Sequence, residues 1–181
     1  MDAELLDKFE QILEDGLVKV CRSFNLLDGQ ILRTPDIEAV WNDRYLKDYV
    51  ADAVENYNSY PDVSLAWAAF LGMGVAHWWD RAWSTHCDAP YSSYYGPHGF
   101  DDMDEHILQD VLGLDLDGSE AKNICSALSG CAAATQGLIR HEGIEAQTEE
   151  GFFILVRAYS AFYRVGASIE LRRAGYKKVI L

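Results

Sequence analysis

The most apolar part of the chain is residues 61–85, PDVSLAWAAFLGMGVAHWWDRAWST. At 100° per residue, its apolar side chains cover almost the whole circumference of a helix, and Pro61 suits the first helical position. A helix that is apolar all round is normally buried on every side. The stretch therefore predicts a central helix that is surrounded by the other helices of the chain.

The segments on either side of this stretch also have apolar residues at helical spacing, with little of the alternation that is typical of strands. Thr34 and Pro35 match an N-cap followed by a first helical residue, so a second helix should begin there. We predict helices over residues 3–27, 35–59, 61–85, 102–113, 118–147 and 149–174. The expected fold is all-α: a single helical bundle of five long helices and one short helix, with residues 1–181 forming one domain.

The charge of the chain is strongly negative but unevenly distributed. The net charge is −14, and residues 1–150 contain 9 Lys and Arg against 28 Asp and Glu, whereas residues 151–181 contain 6 against 1. An acidic body repels phosphate groups, so we expect no binding to nucleic acid or to an anionic membrane. The basic last helix is expected to pack beside acidic neighbours in the same chain.

The cysteines and the first residues indicate a cytoplasmic protein with reduced thiols. The four cysteines form no CxxC pair, and the acidic start MDAELLDKFEQ does not resemble a signal peptide. Residues 65–83 approach the length of a membrane span, but the ionisable side chains at their end argue against one.

Several polar residues interrupt the apolar surfaces of the predicted helices. His77, Asp80 and Arg81 are neighbours at i, i+3 and i, i+4 spacing on the central helix. Glu142 falls within the apolar stripe of the fifth predicted helix, where a buried carboxylate needs a cation nearby. Glu170 repeats this pattern on the sixth helix. The spacing therefore predicts a buried polar network that joins these groups.

Two interpretations of this network remain open. It is either a structural seam that sets how the helices pack, or a small-molecule or hydrolase-like catalytic site between the third and fifth helices. In the catalytic reading, Asp80 or Glu142 is the base, His77 shuttles a proton and Arg81 holds an anion. The Glu-x-x-His pairs of a di-iron bundle do not occur in the sequence, and we predict no metal site and no cofactor.

Residues 84–100, STHCDAPYSSYYGPHGF, form a predicted aromatic loop after the central helix. Structureless loops of this length are uncommon in compact domains and often bind other molecules. Tyr91, Tyr94 and Tyr95 either present their rings to a partner or plug the end of the bundle. His86 and His98 are further candidate binding residues, although their spacing fits no closed zinc pattern.

The favoured interpretation of the whole sequence is a non-enzymatic binding module. Its acidic surface and aromatic loop would contact a protein partner or another copy of the same chain, and an acidic face favours a basic partner. The alternative is the small-molecule-binding or hydrolase-like reading of the polar network.

Overall fold

The computed structural model describes residues 2–177, and within them the chain is helical with no strand. The predicted all-α class is confirmed. The long helices are α1 (Ala3–Ser23), α4 (Pro61–Arg81), α7 (Ser119–His141) and α8 (Glu149–Arg173). A fifth long unit consists of α2 (Pro35–Val40), a π-helical turn Trp41–Tyr45 and α3 (Leu46–Tyr57).

The connection between α4 and α7 contains only short helical pieces. They are α5 (Trp83–His86), a 3₁₀ turn Tyr91–Tyr94, a 3₁₀ turn Phe100–Asp102, α6 (Met103–Glu105) and a π-helical turn His106–Val111. The last three pieces follow one another without a break and correspond to the predicted short helix. The count of five long helices and one short helix therefore agrees approximately with the structure.

Three predicted helices are too long at their carboxyl ends. The first ends at Ser23 rather than residue 27, and Asn25 adopts a left-handed φ of 58° directly beyond its cap. The central helix ends at Arg81 rather than residue 85, since Ala82 has non-helical backbone angles. The fifth ends at His141 rather than residue 147, because Gly143 takes a φ of 67°, the left-handed position that commonly terminates helices.

The central helix lies where the sequence predicts it. Every residue of α4 from Leu65 to His77 is buried apart from Ala66, and α4 contacts α2, α3, α6, α7 and α8. Its most extensive interface is with α8. That helix is also buried around its whole circumference from Ala158 to Leu171, except at Arg164, whereas the sequence pattern predicts only one buried face.

Glycines allow α4 and α8 to approach closely. A Cβ at Gly166 would lie 1.8 Å from the carbonyl oxygen of Ala69, and one at Gly72 would lie 2.1 Å from that of Tyr163. Both distances are far below contact distance, so only glycine fits at these two positions. The two helices therefore form the closely packed pair around which the other helices assemble.

The basic last helix packs beside acidic neighbours, as predicted. Arg164 donates hydrogen bonds to Glu10 at 2.6 Å and to Glu14 at 2.9 Å, so it joins α8 to α1. Arg173 donates to Glu120 of α7 at 2.8 Å. Further ion pairs of α8 join Arg157 to Asp7 and Glu10, and Arg172 to Asp28. These pairs set the position of α8 against α1 and α7 at several points along its length.

Nearly all buried hydrophobic side chains of these helices belong to one cluster. The assignment of all 181 residues to one domain stays a prediction. Within residues 2–177, no helix is both long enough and apolar enough to cross a membrane.

Candidate functional site

The buried polar pair of the bundle is His77 on α4 and Glu170 on α8. Their side chains are almost fully enclosed, with the Nδ1 atom of His77 3.4 Å from the Oε1 atom of Glu170. Arg173 donates a short hydrogen bond to the other carboxylate oxygen, one helical turn further along α8. Two of the groups in the predicted network are therefore brought together, and the acidic partner of His77 comes from the sixth predicted helix rather than the fifth.

Burial moves both pKa values of this pair in the direction of the neutral forms. The pKa of His77 is lowered from 6.5 by burial first, and then by the positive charges of Arg81 and Arg173. The pKa of Glu170 is raised by burial, against the opposing effect of Arg173. An imidazole with a lowered pKa is neutral at pH 7, so the pair acts there as a hydrogen-bonded contact between α4 and α8.

Asp80 and Arg81 do not join the buried pair, contrary to the predicted network. Both residues are exposed because they occupy the last turn of α4, which extends beyond the core. Asp80 accepts a hydrogen bond from the hydroxyl of Tyr176 at 3.0 Å. The trio at 77, 80 and 81 is thus divided between the interior and the surface.

The prediction that Glu142 is buried in an apolar stripe is wrong. Glu142 is the C-cap of α7, its side chain is 48% exposed, and it lies 3.5 Å from the exposed His141. The physical reason is the helix end at Gly143, which leaves Glu142 at the rim of the bundle. No salt bridge or hydrogen bond joins it to His77 or Arg81 among the described residues. The proposed catalytic group is consequently not assembled as predicted.

The aromatic loop is packed against the bundle, which distinguishes between the two positions that the sequence left open for its tyrosines. Tyr91 and Tyr94 are buried, and the ring of Tyr94 fills the space beside Gly74 of α4. Tyr95 is partly buried, and its hydroxyl donates a short hydrogen bond to the carboxylate of Asp52 on α3. The hydroxyl of Tyr91 donates to the same carboxylate oxygen at 3.0 Å. The reading in which these rings plug the end of the bundle is the one that the structure favours for Tyr91 and Tyr94.

The backbone of the loop is attached to the π-helical turn that precedes α3. Arg44 donates hydrogen bonds to the carbonyl oxygens of Cys87 and Ala89, at 2.5 Å and 3.0 Å. The hydroxyl of Tyr45 donates a short hydrogen bond to the same Ala89 oxygen. These contacts hold the loop on the side of the bundle formed by α3 and α4.

The two histidines of the loop lie in different surroundings. His86 stacks on the ring of Trp78 with a centroid distance of 3.8 Å and an interplanar angle of 1°. His98 has a side chain that is 83% exposed and lies 2.5 Å from Asp102. No group of three or more His, Cys, Asp or Glu residues within positions 2–177 is arranged to hold a metal ion.

An apolar groove, which the sequence analysis did not identify, lies between α1, α7 and α8. Its volume is about 340 Å³, and its floor is formed by the buried side chains of Phe9 and Ile154. The α1 side chains Leu5 and Ile12 remain 47% and 46% exposed at its edge. The remaining lining residues are Lys8, Leu138, Glu142, Ile144 and Glu150. We call this feature the α1/α7/α8 groove.

The exposed large apolar side chains include two that line the groove. The five large apolar side chains that are exposed among the described residues are Leu5, Ile12, Tyr60, Phe152 and Phe153. Leu5 and Ile12 line the groove, and Phe152 and Phe153 lie on the first turn of α8 outside its lining. In the sequence, Leu5 and Ile12 are seven positions apart and share one face of α1, but this spacing does not show that the face stays uncovered.

The surroundings of the groove are acidic. Residues 141–150 contain four glutamates and no Lys or Arg, and residues 2–15 contain six acidic residues and one lysine. Glu142 and Glu150 are exposed at the groove itself, with Lys8 as the cation of its lining. An exposed apolar surface with a polar rim is the usual arrangement of a protein-interaction site.

No protein-family model, no curated protein and no solved structure matches this chain.

Proposed function

We propose that this protein is a non-enzymatic interaction module that binds a basic, amphipathic helical segment of a partner protein in the α1/α7/α8 groove. The observation that carries the proposal is the coincidence of exposed apolar side chains with an acidic rim. Large exposed side chains such as Leu5 and Ile12 are unfavourable in water and become favourable when a partner covers them. The groove thus replaces the aromatic loop as the proposed contact surface.

The dimensions of the groove favour a helix as its occupant. Leu5 and Ile12 are seven residues apart, which is about two helical turns or 10 Å along α1. A partner helix that lies along this edge would present side chains at i, i+3 or i+4 and i+7 to the groove, as in other helix-in-groove complexes. A volume of about 340 Å³ suits a few aliphatic side chains.

The charges around the groove favour a basic partner. Glu142 and Glu150 stand at its edge, and the protein as a whole has a net charge of −14. Lysines or arginines on the flanks of the bound helix would be attracted to this rim, and the attraction would speed association at low salt. A second copy of this chain is a less suitable occupant because both molecules would bring the same acidic rim to the interface.

The alternative, a hydrolase-like or small-molecule site between the third and fifth predicted helices, has less support. Asp80 and Glu142 are both exposed, and neither forms a hydrogen bond or salt bridge with His77 among the described residues, so neither of the two predicted bases is placed against the proposed proton shuttle. The pair of His77 and Glu170 fits a structural role between α4 and α8. Cytoplasmic location and the lack of nucleic-acid binding stay expectations from the sequence.

The proposal is tested by fluorescence anisotropy with two labelled synthetic helices. One peptide contains leucine at i, i+3, i+4 and i+7 with lysine elsewhere, and the other replaces each lysine by glutamate. We expect saturable binding of the Leu/Lys peptide only, and weaker binding as the salt concentration rises, since exposed charges are screened within about 8–10 Å at physiological ionic strength.

Single substitutions separate groove binding from general attraction between opposite charges. Leu5→Asp and Ile12→Asp should each weaken Leu/Lys peptide binding by about tenfold or more, because burial of one such side chain contributes roughly 1.5–3 kcal/mol. Tyr60→Asp is the matched control, since Tyr60 is 63% exposed, is not part of the groove lining and undergoes the same change of charge. All three variants should retain the helical circular dichroism spectrum.

Two results would reject the proposal. One is equal loss of peptide binding in all three variants, which would show that the added charge acts without regard to the groove. The other is a concentration-dependent dimer in analytical ultracentrifugation that dissociates in the Ile12→Asp variant. That dimer would identify a second copy of the chain as the occupant.

A further inference from the structure

Two buried cysteines face each other across the contact between α1 and α7. The Sγ atoms of Cys21 and Cys131 are 3.7 Å apart, and both side chains are fully buried. The two residues are 110 positions apart in the sequence, so only the tertiary structure brings them together. The distance corresponds to a thiol–thiol hydrogen bond and exceeds an S–S bond length of about 2.05 Å by roughly 1.7 Å.

The two helices are closely packed at this point. A Cβ at Gly130, the neighbour of Cys131, would lie 3.2 Å from a methyl group of Val20, the neighbour of Cys21. The amide of Asn123 also donates a hydrogen bond to the carbonyl oxygen of Phe24 at 3.0 Å, which ties the end of α1 to α7. The remaining gap between the sulfur atoms is therefore of the size that side-chain rotation and small helix movements can close.

We propose that Cys21 and Cys131 form a latent disulfide site, which a peroxide converts into a covalent link between α1 and α7. In the first step, the Cys21 or Cys131 thiol reacts with hydrogen peroxide to give a sulfenic acid and one water molecule. The other thiol then attacks the sulfenic sulfur, forming the S–S bond and releasing a second water molecule. The two thiols lose two electrons and two protons, and the peroxide is reduced to water.

Burial makes this oxidation slow in the folded protein. The hydrogen bond with Cys21 and the loss of hydration both raise the pKa of the Cys131 thiol well above its ordinary value of 9.0, whereas the thiolate is the reactive form. The first step therefore proceeds during brief openings of the contact between α1 and α7. Once one sulfur is oxidised, the second thiol lies beside it and completes the link in preference to further oxidation.

The link would stabilise the bundle and restrain two walls of the groove. A disulfide stabilises mainly by restricting the unfolded chain, and the effect grows with the length of the enclosed loop. Helices α1 and α7 also carry Leu5, Ile12 and Leu138 of the α1/α7/α8 groove. The inference does not depend on the proposed function, because the link can form whether or not the groove binds a partner.

The test is oxidation of the full-length protein with hydrogen peroxide in native buffer, followed by peptide mapping under non-reducing conditions. We expect a cross-linked pair of peptides that contain Cys21 and Cys131, with a mass two hydrogen atoms below the sum of the separate peptides. A thiol reductant should restore the two separate peptides. The midpoint of thermal unfolding should rise by about 5–15 °C on oxidation. The same reaction in concentrated urea should distribute the four cysteines over several pairings.

Variants make the result decisive. The double variant Cys87→Ser/Cys125→Ser leaves only the buried pair and should still form the link, whereas adding Cys21→Ser should abolish both the link and the rise in midpoint. Sulfinic or sulfonic acids at 21 or 131 in the double variant, without the cross-linked peptide, would overturn the proposal. A peptide map of the wild-type protein, oxidised in native buffer, that is dominated by disulfides to Cys87 or Cys125 would overturn it as well.

Discussion

Replacement of Gly166 by alanine tests the closest backbone contact of the bundle. Gly166 lies in the middle of α8, where a Cβ would be 1.8 Å from the carbonyl oxygen of Ala69 on α4. The obstacle is a backbone oxygen of a buried helix, so no side-chain rotation can remove the clash. The methyl group is accommodated only if the two central helices move apart.

The size of the effect follows from this distance. An ordinary contact begins near 3.4 Å, so the helices must separate by about 1.6 Å in a densely packed interior. Overpacking usually costs about 1–3 kcal/mol and occasionally more, and the rigid backbone puts this case above the upper end, at about 4 kcal/mol. Alanine recovers about 1 kcal/mol through its higher helix propensity. We expect a net loss of about 3 kcal/mol, which is a large part of a typical stability of roughly 5–15 kcal/mol.

The assay is urea unfolding followed by circular dichroism at the helical band, with thermal unfolding as a second measurement. A loss of about 3 kcal/mol corresponds to a fall of roughly 6–12 °C in the midpoint temperature for a chain of this size. The matched control is Gly137→Ala on α7, where no atom lies within 4 Å of the added Cβ. That variant should gain about 0.5–1 kcal/mol.

Close agreement between the two glycine variants would refute this reasoning. If the free energies of unfolding of Gly166→Ala and Gly137→Ala differ by less than about 0.5 kcal/mol, the small distance at Gly166 does not restrict the packing of α4 against α8. The description of these helices as a closely packed central pair would then be wrong.

Two further predictions concern His77 and Tyr94. Because the pKa of His77 is lower in the folded protein than its unfolded value of 6.5, unfolding takes up a proton below that pH, and stability falls as the pH drops from about 6.5. His77→Gln should remove this part of the loss, whereas His98→Gln, at an exposed position, should keep it. The assignment would be contradicted if the urea midpoint shifted by the same amount between pH 7.5 and pH 5 in the wild type and in His77→Gln. Tyr94→Ala should cost about 3–5 kcal/mol because its buried ring fills the space beside Gly74, whereas the exposed Tyr60→Ala should cost less than about 0.5 kcal/mol. Unchanged urea unfolding of Tyr94→Ala would return that tyrosine to a surface role.

The sequence predicted features that depend on neighbouring residues along one helix. Thr34 caps the second helix through its hydroxyl, which accepts a hydrogen bond from the amide of Ile37, with Pro35 in the first turn, as predicted. The apolar circumference of residues 61–85 correctly indicated a central helix. The end at Gly143 was missed because a glycine inside a helical pattern does not by itself show which φ it adopts, and the misplacement of Glu142 followed from that error.

The candidate sites were harder to predict because they depend on contacts between distant segments. His77 was correctly expected to need an acidic partner, but the choice of Glu170 over Glu142 depends on which helix packs against α4. The tyrosines of the aromatic loop were equally consistent with a surface or a buried position. The contact between the ring of Tyr94 and Gly74 forms only once the loop has folded back on α4.

The amino-acid sequence by itself determined that the chain is helical, where most helices begin, and that the helix beginning at Pro61 lies at the centre of the bundle. These properties follow from local propensities and from the 3.6-residue period of apolar side chains, which act within one segment. The tertiary structure alone decided that α8 is enclosed together with α4, that Cys21 meets Cys131, and that Leu5 and Ile12 border an open groove. A helical period shows which face is apolar, but only the packed neighbours decide whether that face is covered.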